Sequence, residues 1–247
     1  MIRWLFRIIL VLVVAAAVAV WTVPLGFIID RAGVAGQGVT WGQVQGTAWS
    51  GRVSNVAFGR QLVGDIDLKL RPAGLLTGTL AYDLSLSGPV AAGTAKVYAG
   101  GDRIGIEDAD LSARVDQLIG LNASVRQAGG IVRLRGISLE VDRALNCLSA
   151  SGGLWTEVLA NLGAEYGETL PELDGNLQCY DQMIALDLKG VSETGIDVSI
   201  DAKVGVSDVS SFNARIGGVS GEIAQALTAL GFSVSGGDFV YVRELGP

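Results

Sequence analysis

The chain has 247 residues, 49% of them apolar and only 17% charged, a balance that excludes global disorder and permits a real core. Its 25 acidic residues outnumber 18 basic ones, for a formal net charge of −7; an acidic surface repels phosphate backbones, so nucleic acid is excluded as an expected partner. Histidine is absent, which removes Ser/His/Asp and Cys/His triads, the HExxH zinc motif and imidazole acid–base chemistry near neutral pH.

Arg3, Trp4 and Arg7 open the chain, and Ile8 to Val23 follows without a charge. Basic residues ahead of an apolar run place residues 1–7 in the cytoplasm, and Trp4 and Trp21 fall where the two interfaces would lie. The strict run is shorter than the usual ~20 residues. Pro24 to Ile29 extends it, which gives a transmembrane anchor over 8–29 and a periplasmic β-rich domain over 30–247. A cleaved signal peptide competes with this reading, because Ala17-Val18-Ala19 is an A-x-A site; the further apolar residues up to Ile29 favour a retained anchor. Both readings export the rest of the chain. The expected location is the inner membrane, single-pass, with the bulk of the chain periplasmic. No basic amphipathic helix is present to adsorb on anionic lipid.

From Thr40 on, period-two alternation dominates. Ile66, Leu68 and Leu70 alternate with Asp65, Asp67 and Lys69, and Leu80 to Leu86 alternates with Ala81, Asp83 and Ser85. Ile184, Leu186 and Leu188 repeat the pattern, and the longest run is Ile196 to Val206. Each run puts apolar groups on one sheet face and polar groups on the other, the signature of antiparallel sheets with one solvated face. Between Leu134 and Ile137 the apolar phase flips at Gly136, where a bulge or turn would keep one face apolar. Helices are predicted over Trp155–Leu162, stopped by Gly163, and over Ser220–Leu230, followed by Gly231. Asp238 to Arg243 reads as a last strand. Glycine pairs at 100–101, 129–130, 152–153, 217–218 and 236–237 predict loops. The expected fold is mainly β: an extended, curved, mostly antiparallel sheet with two or three short helices behind the anchor.

Cys147 and Cys179 are the two cysteines, and neither belongs to a CxxC motif. An even pair in an exported domain favours a disulfide; two buried free thiols are the alternative. The acidic near-pairs Asp65/Asp67, Asp108/Asp110 and Asp197/Asp201 fall on predicted solvated faces, not in a facing pair of the kind a glycosidase needs. Glu107-Asp108-Ala109-Asp110 lacks the glycine and closing glutamate of a calcium loop. No catalytic, metal or cofactor site is expected, and no small-molecule substrate. Trp49 and Trp155 fit either core packing or an interface anchor.

Three segments carry a resemblance. Gly46-Thr47-Ala48-Trp49-Ser50-Gly51-Arg52 follows the short predicted strand Gly42-Gln43-Val44-Gln45; Leu68 to Gly78 contains Arg71 and Pro72; and the tail holds Leu227 to Phe232 and the final strand. In this order they are similar to the type II secretion system protein N family. The cysteine pair around Trp155 also fits that family. The resemblance implies an accessory, structural component of a bacterial type II protein secretion apparatus, not an enzyme, and a bitopic inner-membrane protein. Its expected partners are other secretion proteins, the inner-membrane platform first and the secretin second. Gly46, Thr47, Trp49, Gly51, Arg52, Arg71 and Pro72 are the expected interface residues. A periplasmic lipid-handling protein, with an apolar groove lined by Ile196, Val198, Ile200, Val204 and Val206, is the alternative.

Overall fold

A computed structural model of the chain describes residues 22–32, 38–121, 123–165, 167–205, 210–219, 221–229 and 231–245. Within them, one antiparallel sheet of fifteen strands holds almost everything. Strands β1 (Val39–Thr40) and β2 (Gln43–Gly46) share one edge of β3 (Ser50–Phe58). A meander follows: β4 (Gln61–Leu70), β5 (Leu80–Ser87), β6 (Ala91–Gly100), β7 (Arg103–Arg114), β8 (Ile131–Asp142), β9 (Cys147–Thr156), β10 (Leu173–Tyr180), β11 (Met183–Val191), β12 (Asp197–Val204) and β13 (Ser210–Gly217). Each pairs with the strand before it. Then β15 (Asp238–Leu245) pairs with β13, and β14 (Ser233–Ser235) covers the outer side of β15 only at residues 238–240.

The alternation read from sequence survives pairing because the register keeps it in phase. One line of Cα partners runs Val53, Ile66, Leu86, Gly93, Leu111, Leu134, Leu154, Gly175, Leu188, Ile200, Ala214 and Tyr241 across twelve strands without meeting a charge. The opposite face pairs Lys69 with Asp83 and Asp83 with Lys96. A slip of one residue in any strand would turn its apolar side to the polar face, so the pattern itself fixes the register.

Bulges repair the phase where the sequence breaks it. Gly136 sits in β8 at φ +56°, where the ladder to β9 skips between Arg135 and Ser138, and Ile137, Leu139 and Val141 thereby share a face with Val132 and Leu134. Asn55 in β3 and Asp108 in β7 also have positive φ, at 54° and 47°, at skips in their ladders. A side chain holds each: the Asp65 carboxylate accepts from the Asn55 N–H at 2.9 Å, the Asp110 carboxylate from the Gly136 N–H at 3.0 Å, and the Ser138 hydroxyl from the Asp108 N–H at 3.3 Å.

Strands that alternate in direction put their connections on two rims. The near rim carries the β2–β3 turn, helix α2 (Pro72–Leu75) between β4 and β5, and the short turns after β6, β8 and β10. The far rim carries the longer excursions: a 3-10 turn (Val115–Gln117) with helix α3 (Ala123–Ala128), helix α4 (Val158–Glu165) and helix α5 (Gly221–Ala229). Two buried clusters lie on the apolar face. Leu173, Leu188, Ile196 and Val198 form one, capped by Leu159 of α4 and Ile223 of α5. Leu25 of helix α1 (Leu25–Ala32) forms the other with Val53 and Val56 of β3. Between them Leu84, Leu86, Val97, Ile106 and Leu139 stay half-buried and join neither cluster.

Several expectations are corrected. Leu25 and Ile29, read as the end of the membrane segment, pack on Val53, Val56 and Ile66. Pro24 bridges Thr47 as well, so the folded body begins by residue 23. Residues 8–21 lie outside the described residues; among those described, no helix is long and apolar enough to cross a membrane. Trp155 lies in β9, opposite Arg133 and Asp174, because Trp and Thr suit a pleated surface. The Thr156 hydroxyl then accepts from the Val158 N–H as α4 begins. Gly163 is inside α4, and a Cβ there would meet the Glu168 carbonyl at 2.7 Å, so it admits the returning chain instead of stopping the helix. The pair at 152–153 is in β9, not a loop. The run from Ile196 makes an eight-residue strand, and Val206 lies outside the described residues. The sheet is long through the number of its strands, not the length of one. Five short α-helices are described, against two or three expected.

Candidate interaction surface

The first two resemblance segments, some twenty residues apart in sequence, meet at one corner of the near rim, while the tail segment lies at the other end of the sheet. Gly46 takes φ +90° to turn β2 into β3, and a Cβ there would sit 2.5 Å from the Ser50 carbonyl oxygen. The Thr47 hydroxyl accepts from the Trp49 N–H at 3.3 Å and closes the turn. The Trp49 carbonyl accepts from the Leu70 N–H at 2.8 Å, and the Tyr82 hydroxyl donates to the Ala48 carbonyl at 3.0 Å. The turn is thus tied to the end of β4 and the start of β5. Arg71 donates its N–H to the Ala81 carbonyl, and Pro72 starts α2, where its fixed φ and missing N–H cost nothing.

Gly51 has a separate reason to be glycine. A Cβ on it would meet Leu25 Cδ2 and the Gln45 carbonyl oxygen, each at 2.6 Å. Through that space α1 reaches β3, so Gly51 joins the N-terminal segment to the sheet. Arg52, on the polar face, forks onto Asp67 with bonds of 2.6 and 2.7 Å. These bonds raise the Arg52 guanidinium pKa and hold the Asp67 carboxyl below the usual carboxylate range.

A shallow depression of about 430 Å³ extends from this corner along β3 to β7. Asp67, Lys69, Asp83, Ser85, Lys96 and Asp108 line it. Lys96 reaches Asp108 at 2.6 Å and holds that carboxyl down as well. A general acid needs a carboxyl raised toward neutrality. Asp67 and Asp108 are shifted the other way, by cationic partners, and serve as ion-pair members. The corner therefore has the chemistry of a charged, rigid presentation surface.

Beyond the corner, two features stand out. Cys147 and Cys179 form a disulfide with a Cα–Cα distance of 5.7 Å. It spans a seam: β9 and β10 share only the register pairs from Leu173↔Thr156 to Asn176↔Gly153, while β10 and β11 pair from Asp174 to Tyr180. The bridge fastens the near-rim half of the seam, where the ladder stops. Trp155 lies on the other half, its indole donating to Glu172 at 3.0 Å with the Arg133 guanidinium 5.1 Å above the ring. The second feature is the outer side of β15, which has no strand beside Tyr241–Leu245 among the described residues. The disulfide itself was expected from the cysteine pair; the seam it spans and the open edge had no sign in the sequence, since both depend on which strands become neighbours. The Asp65 and Asp110 bulge contacts were missed for the same reason.

Among the described residues the architecture is a single antiparallel sheet with paired surface charges, one cross-seam disulfide and an open edge, which defines a mainly β class of protein with a few short helices. The model of the type II secretion system (T2SS), protein N, family matches residues 37–241, and the chain belongs to that family of structural secretion-system components. Neither a curated protein nor a solved structure matches this chain.

Proposed function

We infer that the protein is an inner-membrane component of a type II secretion apparatus, with one membrane pass ahead of Pro24 and a periplasmic sheet that docks other secretion proteins. The family match over 37–241 carries this reading. The basic and apolar N-terminal sequence supports the membrane pass, and the disulfide suits an oxidising compartment. The work is placement. A membrane-tethered domain meets its partners at raised effective concentration, so weak contacts suffice. The open side of β15 offers backbone donors and acceptors for strand addition, and exposed Val242 offers an apolar contact beside them. The Gly46–Arg52 corner is the second docking surface, next to the point where the N-terminal segment joins the sheet. Photocrosslinking in intact cells from Arg52, Val242 and Arg243 tests this. Recovery of platform or secretin subunits is expected; recovery of lipid alone from all three positions sinks it.

One observation bears on lipid handling. One end of the predicted groove strand is closed: Ile196 and Val198 are buried against α4 and α5, while Val204 at its other end is exposed. The half-buried apolar stretch over β5–β8 is the place where an acyl chain would fit.

A further inference from the structure

The near rim gathers exposed aliphatic side chains that the sequence scatters. Leu75 and Leu76 end α2, Leu80 begins β5, Ile104 begins β7, and Leu145 and Leu148 flank the start of β9; all six are exposed, Leu76 at 90%. Exposure alone does not distinguish this rim, because Phe58, Ile119 and Val191 are exposed on the far one. Charge does. Between β3 and β12 the far-rim connections hold six carboxylates, Asp116 and Glu168 among them, against Arg60 and Arg126. The described near-rim connections hold Arg71 and Arg143 against Asp102 and Asp181. Arg71, Arg103 and Arg143 each face a carboxylate, Asp83, Glu140 and Asp102, at 3.7, 2.8 and 3.0 Å. The near rim is balanced and the far rim strongly acidic.

The chain's direction gives the same answer. Val23 and Pro24 are held against Ala48 and Thr47 at the near rim, so the segment before residue 22 joins the body there. We propose that the near rim, from α2 to the β8–β9 turn, rests on the surface of an anionic phospholipid bilayer. This deepens the membrane attachment proposed above and rests on it. Apolar tips enter the headgroup region, the paired near-rim charges present no net repulsion to it, and the acidic far rim is repelled from the surface. From β4 to β9 the contact is about 24 Å wide, five strand spacings. The domain thus sits with its strands upright on the bilayer, and the strand ends of its apolar face open at the lipid.

The test uses the full chain in vesicles of phosphatidylethanolamine and phosphatidylglycerol, some with brominated acyl chains. Single bimane labels go at Leu76→Cys, Leu145→Cys and Ile119→Cys; each site is exposed, so no core contact is lost, and the native cysteines are occupied by their disulfide. Fluorescence loss to brominated lipid at Leu76→Cys and Leu145→Cys, with none at Ile119→Cys, is the expected result. No loss at either near-rim site, or equal loss at Ile119→Cys, overturns the proposal. Carbonate washing of the same vesicles reads the anchor separately. A chain that washes off refutes the membrane pass, and the three labels on the released chain, mixed with fresh vesicles, still decide the rim.

Discussion

Two residue contacts carry consequences that a point substitution can read. Leu25 is 2% exposed and rests on Gly51. Leu25→Ala should cost about 2–5 kcal/mol, the range for a buried leucine. Gly51→Val should be at least as harmful, since its side chain would displace Leu25 and strike the Gln45 carbonyl. Urea unfolding of both variants checks this, and a midpoint equal to the parent's would show that α1 does not pack on the sheet. Tyr98 is the other case. Its ring covers Gly105 on the neighbouring strand, and its hydroxyl donates to Glu140 at 2.8 Å. Burial first, then the bond and charge of Glu140, push the phenol up to about 12 from 10.0. The folded chain therefore keeps this proton where the unfolded chain has released it. The stabilisation is complete below pH 10 and is lost as pH rises through about 12. Burial raises Tyr82 as well, so absorbance titration should show more than one late tyrosine, and Tyr98→Phe should remove one of them and leave Tyr82.

At the scale of elements, the β9–β10 seam is where the sheet should give first. Reducing Cys147–Cys179 releases a closed loop that contains α4, and should cost about 3–4 kcal/mol on the chain-entropy estimate. Amide exchange should rise in 147–152 and 177–180 before it rises in β11 or β12. Uniform acceleration across the sheet would contradict a local seam. The strands themselves were readable because a period of two is a local signal, and in Ile66–Leu70 or Ile184–Leu188 it needs no partner to be seen. The Gly136 bulge was readable too, as a break in that period. Trp155 misled because apolar Leu154, Trp155, Val158 and Leu159 also fit a helix; pairing with Arg133 and Asp174 decided for strand. The Gly46–Arg52 and Arg71–Pro72 segments were identifiable by resemblance, but not that they form one corner, which follows from the Leu70–Trp49 and Tyr82–Ala48 hydrogen bonds.

For the whole molecule, the meander has a consequence for how the chain comes to be folded. From β3 to β13 every strand pairs with the one made just before it, so no strand waits for a distant segment. Topologies dominated by such near-neighbour pairs close small loops and form quickly. The sheet can grow as a zipper does, from β3 onward, while the chain is still emerging from a ribosome or a membrane channel. Cys179 arrives 32 residues after Cys147, once β9 has a partner in β8, so oxidation comes after local assembly and locks it. Growth by single additions also leaves every unfinished chain with a live edge. Termination falls to the tail, where β14 turns back over only part of β15. A chain truncated before residue 233 would end on an unguarded strand and should add further strands from its neighbours, as sheet edges left open do.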